Sequence, residues 1–152
     1  METISFRTAL ITDLPAIIDL LADDELGSQR ETVSDPVDGR YIAAFNAIEA
    51  DSNQQLVVAT AGETVVGTLQ LSFVPGISRR GSWRGQIEAV RIAAPFRSAG
   101  VGRQMFEWAI AQCKAKGCNV VQLTTNKTRP DAHRFYEKLG FVNSHEGYKL
   151  MV

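Results

Sequence analysis

One stretch, residues 90–103, holds the residue types best suited to binding an anion. It reads VRIAAPFRSAGVGR and lies between a predicted strand and a predicted helix. Gly100 and Gly102 permit close backbone approach and left-handed dihedral angles, and the first turn of a helix offers unpaired N–H groups with a partial positive charge. With Arg97 and Arg103 on either side, the segment suits a pyrophosphate. Two glycines this close are also typical of an ordinary turn.

Two familiar nucleotide-binding patterns do not fit this segment. A dinucleotide-binding fold expects a third glycine where Met105 stands, and an acidic residue about twenty positions further on, where the chain reads Val120-Val121-Gln122. A nucleoside-triphosphatase loop requires Gly-Lys-Ser or Gly-Lys-Thr, and the sequence contains neither. The pattern therefore disfavours both classes.

Hydrophobic periodicity predicts the elements that position this segment. The first helix is expected to begin at Thr12 as its cap, and it carries a buried stripe of Leu14, Ile17, Ile18 and Leu21. Strands are predicted at 4–7, 56–60, 65–74, 86–92, 120–125, 141–142 and 149–152, further helices around Tyr41–Ile48 and at 101–116 and 130–139, and loops at 27–40 and 75–85. This order indicates an α+β fold with a mixed sheet covered by helices.

The strand at 86–92 changes phase along its length. Ile87 and Ala89 are apolar on one alternation, whereas Val90 and Ile92 are apolar on the other. A β-bulge between Ala89 and Val90 would produce this pattern, and so would a strand buried on both faces. A bulge would leave backbone groups unpaired.

Whole-chain composition favours a single folded domain. The 152 residues match one typical domain, with 45% hydrophobic and 22% charged residues. No apolar run is long enough to span a bilayer and residues 1–7 lack a signal-peptide pattern, so a cytoplasmic location is expected. The cysteines and histidines lack metal-ligand or redox spacing, and we expect no metal; they are Cys113, Cys118, His133 and His145.

Charge is distributed unevenly along the chain. Residues 1–51 carry eleven acids and three bases, whereas residues 79–103 carry six arginines against Glu88 alone. The basic segment suits a polyphosphate and the acidic part suits a cation, unless both are simply solvated faces. Nucleic acid is a disfavoured partner, because the isoelectric point is near 6.1 and no recognisable nucleic-acid-binding module occurs.

Two motifs stand out in the second half of the chain. One reads Arg97-Ser98-Ala99-Gly100-Val101-Gly102, and the other reads Asn126, Ala132 and then Phe135-Tyr136-Glu137-Lys138-Leu139-Gly140-Phe141. They resemble the motifs of the GNAT family of N-acetyltransferases, whose signature is Arg/Gln-x-x-Gly-x-Gly/Ala, and the resemblance covers essentially the whole chain. The resemblance implies the GNAT fold, with a mixed, mostly antiparallel central sheet of about six to seven strands flanked by about four helices. It also implies one N-acetyltransferase domain over residues 1–152.

The resemblance further implies acetyl-CoA as cosubstrate. Backbone groups around the predicted bulge would bond the pantetheine arm, and the N–H groups of residues 97–102 would hold the pyrophosphate together with the two flanking arginine side chains. Asn126 would bond the pantetheine amides, and Phe135 would pack beside the arm. The implied cofactor-binding residues are Val90, Arg91, Ile92, Arg97, Ser98, Ala99, Gly100, Val101, Gly102, Arg103, Asn126 and Phe135.

The implied reaction is direct attack of a primary amine on the thioester. Tyr136 would donate toward the leaving sulfur, and Glu88 would take the amine proton through water. Each residue has a structural alternative. Tyr136 also fits the apolar stripe of the last helix, and Glu88 also fits an exposed strand carboxylate or an ion pair with an arginine.

The acceptor is expected opposite the cofactor, against the first two helices and the loop 27–40. Six carboxylates there favour a cationic or peptide amine such as a polyamine or an aminoglycoside; they are Asp23, Asp24, Glu25, Glu31, Asp35 and Asp38. The alternative function is an acetyl-CoA-sensing or transcription-regulatory protein without turnover. A homodimer is a further expectation, because family members are often dimers.

Overall fold

The structure, a computed structural model, describes residues 2–152 and is built on one five-stranded sheet. Its strands lie in chain order, β1-β2-β3-β4-β5; the first three pairings are antiparallel and β4 pairs with β5 in parallel. The strands are β1 Ile4–Thr8, β2 Gln54–Ala61, β3 Thr64–Pro75, β4 Trp83–Ile92 and β5 Cys118–Leu123. The sheet is therefore mixed and mostly antiparallel, as the resemblance implies.

Helices cover both faces of the sheet. They are α1 Leu14–Ala22, α2 Glu25–Arg30, α3 Gly39–Ala50, the one-turn α4 Ser78–Gly81, α5 Val101–Lys116 and α6 Pro130–Lys138, with 3-10 turns at Ile11–Asp13 and Ala94–Phe96. α1 and α3 pack on one face through Val58, whereas α5 buries Met105 and Phe106 against the other. Truncating the fully buried Phe106 to alanine would cost about 3–5 kcal/mol.

The structure confirms the predicted bounds of α5 and the predicted start of α6. α5 spans Val101–Lys116, and Gly117 follows in the left-handed conformation, with φ of 93°. Glycine stops a helix this way because it has no Cβ to clash there. Pro130 begins α6, where its missing N–H costs nothing.

The predicted start of the first helix is wrong. Thr12 lies inside the 3-10 turn Ile11–Asp13 and does not cap α1. The Asp13 carboxylate instead accepts from the Leu10 N–H at 2.7 Å and from two Arg7 nitrogens at 2.7 and 3.1 Å. This charged, two-pronged contact holds the pKa of Asp13 below its usual value and fixes the turn.

Two predicted loops contain helical turns, so six helices form rather than about four. α2 occupies the start of the predicted 27–40 loop because the Asp24 side chain accepts from the Gly27 N–H and caps it. Within the predicted 75–85 loop lies the single turn α4, in which Arg79 and Arg80 have left-handed φ of 54° and 61°. β4 already begins at Trp83.

The predicted strands 141–142 and 149–152 are absent from the described structure, so the sheet has five strands rather than six to seven. A strand needs a neighbouring strand to satisfy its backbone groups. Residues 142–152 are exposed and have no neighbouring strand in a single copy of the chain.

Candidate functional site

β4 contains a β-bulge directly after Glu88. Gln70 of β3 lies opposite Glu88, and Thr68 lies opposite Arg91, so two steps along β3 match three along β4. Ala89, inside this interval, has φ of 55°. The extra residue explains the phase change in the sequence, and the bulge prediction is confirmed.

β4 and β5 separate just where the bulge begins. Their pairing stops at Ile87 opposite Leu123, whereas β4 continues to Ile92 with β3 as its partner. Along residues 88–92, the backbone edge that faces away from β3 is therefore unpaired with any described strand. An extended ligand can add to such an edge as a strand does.

The gap between β4 and β5, which opens after Ile87 and Leu123, leads into the loop that precedes α5. After the 3-10 turn Ala94–Phe96, Ser98 and Gly100 both have left-handed φ, at 64° and 83°. Left-handed residues of this kind occur in backbone turns whose N–H groups bind anions. Residues 97–100 are exposed, and the first N–H groups of α5 follow directly. This loop and helix start, residues 97–103, are called the amide cradle below.

Two arginines of this region bind acids that follow α1. Arg97 Nη2 lies 3.3 Å from Asp23 Oδ2, and Arg91 Nη2 lies 3.5 Å from Asp24 Oδ2. Arg97 Nε also donates to the Ile92 carbonyl at 3.0 Å. Arg91 Nε is buried without a hydrogen-bond partner in the described part of the chain. Asp23 and Asp24 thus offset the charge of the basic segment, although the sequence suggested that they face the acceptor.

Two of the remaining acids of the predicted acceptor cluster also have partners. Arg40 binds Asp38 at 2.8 Å and lowers the pKa of that carboxyl to about 2, and Glu31 accepts from the Tyr41 hydroxyl at 2.8 Å. Among the six acids of this cluster, the two whose carboxylates have no side-chain partner within residues 2–152 are Glu25 and Asp35. Most of the cluster's charge is therefore already engaged.

Tyr136 lies in an aromatic cluster beside the start of α5. Its ring centroid lies 5.6 Å from those of Phe106 and Phe135 and 6.2 Å from that of Phe141. Gly102 of α5 faces the Phe135 ring, and a Cβ there would lie 3.5 Å from it, an ordinary van der Waals contact. Burial raises the pKa of the Tyr136 phenol, which therefore stays protonated at neutral pH.

Asn126 follows β5 on the far side of the gap. Its Oδ1 accepts from Thr128 N at 3.0 Å and from Thr128 Oγ1 at 2.7 Å, which orients the side chain. His133 Nε2 lies 3.3 Å from the Asn126 carbonyl, so this histidine supports the turn. The Asn126 NH2 group donates no hydrogen bond to any residue within 2–152.

Glu88 lies exposed on the sheet face opposite α5 and makes no salt bridge with any described residue. The ion-pair alternative for Glu88 is therefore not observed. The carboxylate is next to the bulge, at the point where β4 and β5 part. In that position it can accept a proton through solvent.

A row of neutral polar side chains shares this face, and the sequence analysis missed it. Gln54, Ser72, Gln86 and Gln122 lie opposite one another on four successive strands. Gln54 Oε1 accepts from Ser72 Oγ at 3.0 Å, and Gln86 Oε1 accepts from Gln122 Nε2 at 2.7 Å. The alternation of polar and apolar residues along β3 identifies its polar face. No local sequence pattern, however, indicates the register that aligns the four strands. We call these four residues the amide row.

Other features of the described chain lie outside this gap. Burial raises the pKa of the Cys113 thiol to about 11, so it is not a nucleophile at neutral pH. Clefts of about 270 and 290 Å³ lie beside α3 and beside the start of α5, and neither includes Glu88 or Tyr136. The second cleft is lined in part by Ala99 and Val101 of the amide cradle. Within residues 2–152, no group of three or more potential metal ligands occurs, and none of the helices has the length and apolarity to cross a bilayer.

Comparison with protein families agrees with this geometry. The sequence profile of the Acetyltransferase (GNAT) family matches residues 14–141. The chain therefore belongs to the GNAT family of acetyltransferases, and the resemblance seen in its motifs is confirmed.

The relatives of this chain include a protein described as a transcriptional regulator and two described as N-acetyltransferases. A transcriptional regulator from Bacillus halodurans C-125, known from its crystal structure, is 46% identical, with a TM-score of 0.96 and 99% of this chain and 100% of that chain covered. An aminoalkylphosphonate N-acetyltransferase from Salmonella typhimurium is 32% identical over 66% of this chain and 65% of its own length. A glucosamine 6-phosphate N-acetyltransferase from Trypanosoma brucei brucei is 36% identical over 54% of this chain and 53% of its own length. The chain thus spans about two thirds and about half of these two curated relatives.

Proposed function

We propose that this chain is a single N-acetyltransferase domain that moves an acetyl group from acetyl-CoA to a small primary amine. One observation carries the proposal: the unpaired backbone edge at residues 88–92 runs directly into the amide cradle. Pantetheine, with its two amides, would add along the edge as a short strand, and the pyrophosphate would lie on the N–H groups of the cradle. Val90, Arg91 and Ile92 supply the edge.

The arginines beside the cradle would change partners on binding. Arg97 holds Asp23 at 3.3 Å and Arg103 holds Glu107 at 2.9 Å, and all four side chains are largely exposed. Exposed pairs of this kind are worth about 0–1 kcal/mol, so a doubly charged pyrophosphate would displace them at little cost. Asn126 would then bond the pantetheine amides, and Phe135 would pack beside the arm.

Deprotonation of the amine is the first chemical obstacle. A lysine-like amine with a pKa of ~10.4 is neutral in roughly one molecule in 2,500 at pH 7, a penalty of about 4.6 kcal/mol. Glu88, exposed at the bulge and unpaired with arginine, would take this proton through a water molecule. The nitrogen lone pair then attacks the thioester carbonyl carbon.

Departure of the thiolate is the second obstacle. As the N–C bond forms and the C–S bond breaks, negative charge collects on sulfur, and the Tyr136 phenol would donate a hydrogen bond to it. Full proton transfer from a phenol of pKa ~10 to a thiolate of pKa ~8.5 is uphill by about 2 kcal/mol. Burial raises the Tyr136 pKa further, so donation without full transfer is the favoured role.

The amide row and Glu88 would form the floor of the acceptor site. Neutral amides and a hydroxyl supply hydrogen bonds to a polar acceptor without fixing the sign of its charge. A preference for cationic amines would have to come from Glu88 with Glu25 and Asp35, because the other carboxylates of the cluster have partners. The two curated relatives are named for an aminoalkylphosphonate and for glucosamine 6-phosphate, acceptors that carry a phosphonate or a phosphate as well as an amine.

A regulatory protein that binds acetyl-CoA without turnover is the second candidate. It is favoured by the 46% identical relative that is described as a transcriptional regulator. The two functions share the cofactor site and differ only in chemistry. An assay must therefore separate binding from turnover.

The test combines a melting shift with thiol release. Coenzyme A at 100 times its Kd should stabilise the fold by about 2.7 kcal/mol. Thiol release from acetyl-CoA is then followed with polyamines, aminoglycosides, aminoalkylphosphonates and amino-sugar phosphates as acceptors. Release with any of them supports the enzyme. A shift without release supports the regulator, and no shift rejects both.

A further inference from the structure

Arg91 has a guanidinium group whose hydrogen-bonding capacity is only partly used. Its side chain is 19% exposed, and its Nη1 donates to the Val90 carbonyl at 2.9 Å. Its Nη2 lies 3.5 Å from Asp24 Oδ2, which is long for a charged hydrogen bond. Among residues 2–152, its Nε is the one buried side-chain nitrogen or oxygen without a hydrogen-bond partner. Buried donors in folded proteins normally have a partner.

The Nε and Nη2 atoms form one edge of the planar guanidinium. A carboxylate, phosphate or phosphonate can bind such an edge with two parallel hydrogen bonds. Asp24 leaves the edge unfilled because its Oδ1 accepts from the Gly27 N–H and caps α2. One nitrogen of the pair therefore has a distant acceptor and the other has none. We call this pair of nitrogens the open edge of Arg91.

Arg91 lies on the same face of the sheet as Glu88. Arg91 is opposite Thr68 and Glu88 is opposite Gln70, and these two partners are two residues apart on β3. Alternate residues of a strand share one face, and two residues span about 7 Å. The proposed base and the arginine are therefore about one small molecule apart.

The charge of Arg91 also acts on the proposed hydrogen-bond donor to sulfur. Burial raises the pKa of the Tyr136 phenol, and the positive charges of Arg129 and Arg91 act against that rise. Charges have such an effect only when they lie near the titrating group. Arg91 therefore borders the space in which the amine and the thioester would meet.

We propose that the acceptor is a short amine that also carries a phosphonate, phosphate or carboxylate, and that Arg91 binds this anion through its open edge. The inference rests on the proposed function, because it names the acceptor class of the same site. With the amine at Glu88, the anion would lie at Arg91. The spacing of the two residues favours a short acceptor over a long polyamine, in contrast to the cationic acceptor expected from the acidic cluster.

Asp24 would give up its contact with Arg91 when the anion binds. Its side chain is 36% exposed, so solvent can take the place of the guanidinium. A partly exposed ion pair contributes little to stability, and its loss costs little. The cap on α2 is made by the other carboxylate oxygen and would remain.

The first test measures binding to the protein saturated with coenzyme A, by calorimetry. Aminoethylphosphonate and β-alanine are the anionic probes and distinguish phosphonate from carboxylate recognition, and propylamine is the probe without an anion. At least one anionic probe should bind about tenfold or more tightly than propylamine. Arg91→Gln should weaken its binding by about 10- to 100-fold and leave propylamine unchanged.

Arg84→Gln is the matched control. Arg84 lies on the same strand and the same face, and it makes no salt bridge with any described residue. Its replacement removes the same charge at the other end of β4. Binding of all three probes should therefore be unchanged.

Asp24→Asn separates anion binding from a structural role of the ion pair. Asparagine caps a helix about as well as aspartate, so α2 should be retained. The variant removes the charge that competes for Nη2, and the anionic probe should bind about two- to tenfold more tightly. A purely structural pair predicts weaker binding in both Asp24→Asn and Arg91→Gln.

Thiol release from acetyl-CoA, measured with the same probes, distinguishes failure of this inference from failure of the proposed function. Anion binding that depends on Arg91, without thiol release, would reject the acetyltransferase and retain the anion site. Thiol release that is as efficient with propylamine as with both anionic amines would do the reverse. The inference is also overturned by undetectable anion binding, by unchanged anion binding in Arg91→Gln, or by weaker anion binding in Asp24→Asn.

Discussion

Replacing Tyr136 with phenylalanine separates the proposed chemistry from packing. The ring fills a cluster with Phe106, Phe135 and Phe141, and phenylalanine would keep these contacts. The hydroxyl has no hydrogen-bond partner within residues 2–152, so no internal bond is lost. Stability should therefore change by no more than about 0.5 kcal/mol. The kcat should fall by about 10- to 1,000-fold, which corresponds to roughly 1.4–4 kcal/mol of transition-state stabilisation.

The assay is steady-state thiol release beside urea unfolding, with coenzyme A affinity measured separately. Tyr41→Phe is the control, because it removes a phenol that bonds Glu31 in the described structure. That variant should lose about 1 kcal/mol of stability and keep its kcat. If Tyr136→Phe kept full kcat, or lost several kcal/mol of stability, the reasoning would fail, because the hydroxyl would then be either idle or structural.

Three further substitutions test other parts of the account. Gly100→Ala forces a Cβ into a left-handed conformation, with φ of 83°, at a cost of about 1–2 kcal/mol, and it should weaken coenzyme A binding by calorimetry, whereas Gly39→Ala should not. Asp13→Asn breaks the pair with Arg7 and should cost about 1–3 kcal/mol at pH 7 by urea unfolding. Because the folded pKa of Asp13 is lowered, this stabilisation is present above pH ~4 and lost as pH falls through the folded pKa, so the two proteins should converge at low pH. Glu88→Gln should lower kcat by about 10²- to 10⁴-fold at pH 7 and much less near the amine's own pKa; an equal loss at both pH values would contradict a base.

The parts of the fold that depend on neighbouring residues could be predicted from the sequence. Gly117 and Pro130 mark helix boundaries through their own backbone limits, and the phase change at Ala89 marks the bulge. The start of the first helix was mispredicted because it depends on Arg7 meeting Asp13, a contact made across a turn. Local sequence patterns predict local backbone geometry, but they do not predict which side chains of separate segments will contact each other.

In the candidate site, too, the local features were predicted from the sequence and the contacts between distant segments were not. Glycine and arginine types predicted an anion-binding loop, and the structure has left-handed backbone at Ser98 and Gly100 there. The ion pairs that Asp23 and Asp24 make with arginines were not predicted, because they join the corner after α1 to β4 and to the loop that follows β4. The amide row was missed for a similar reason, since it exists only once four strands are in register.

The central claim is that the unpaired edge of β4 and the amide cradle together bind the cofactor. Amide NMR during titration with coenzyme A tests it most directly. The claim predicts that the largest shifts fall on residues 88–92 and 97–103, with small changes on β1 and α3. Shifts confined to other elements, or none at saturating coenzyme A, would contradict it.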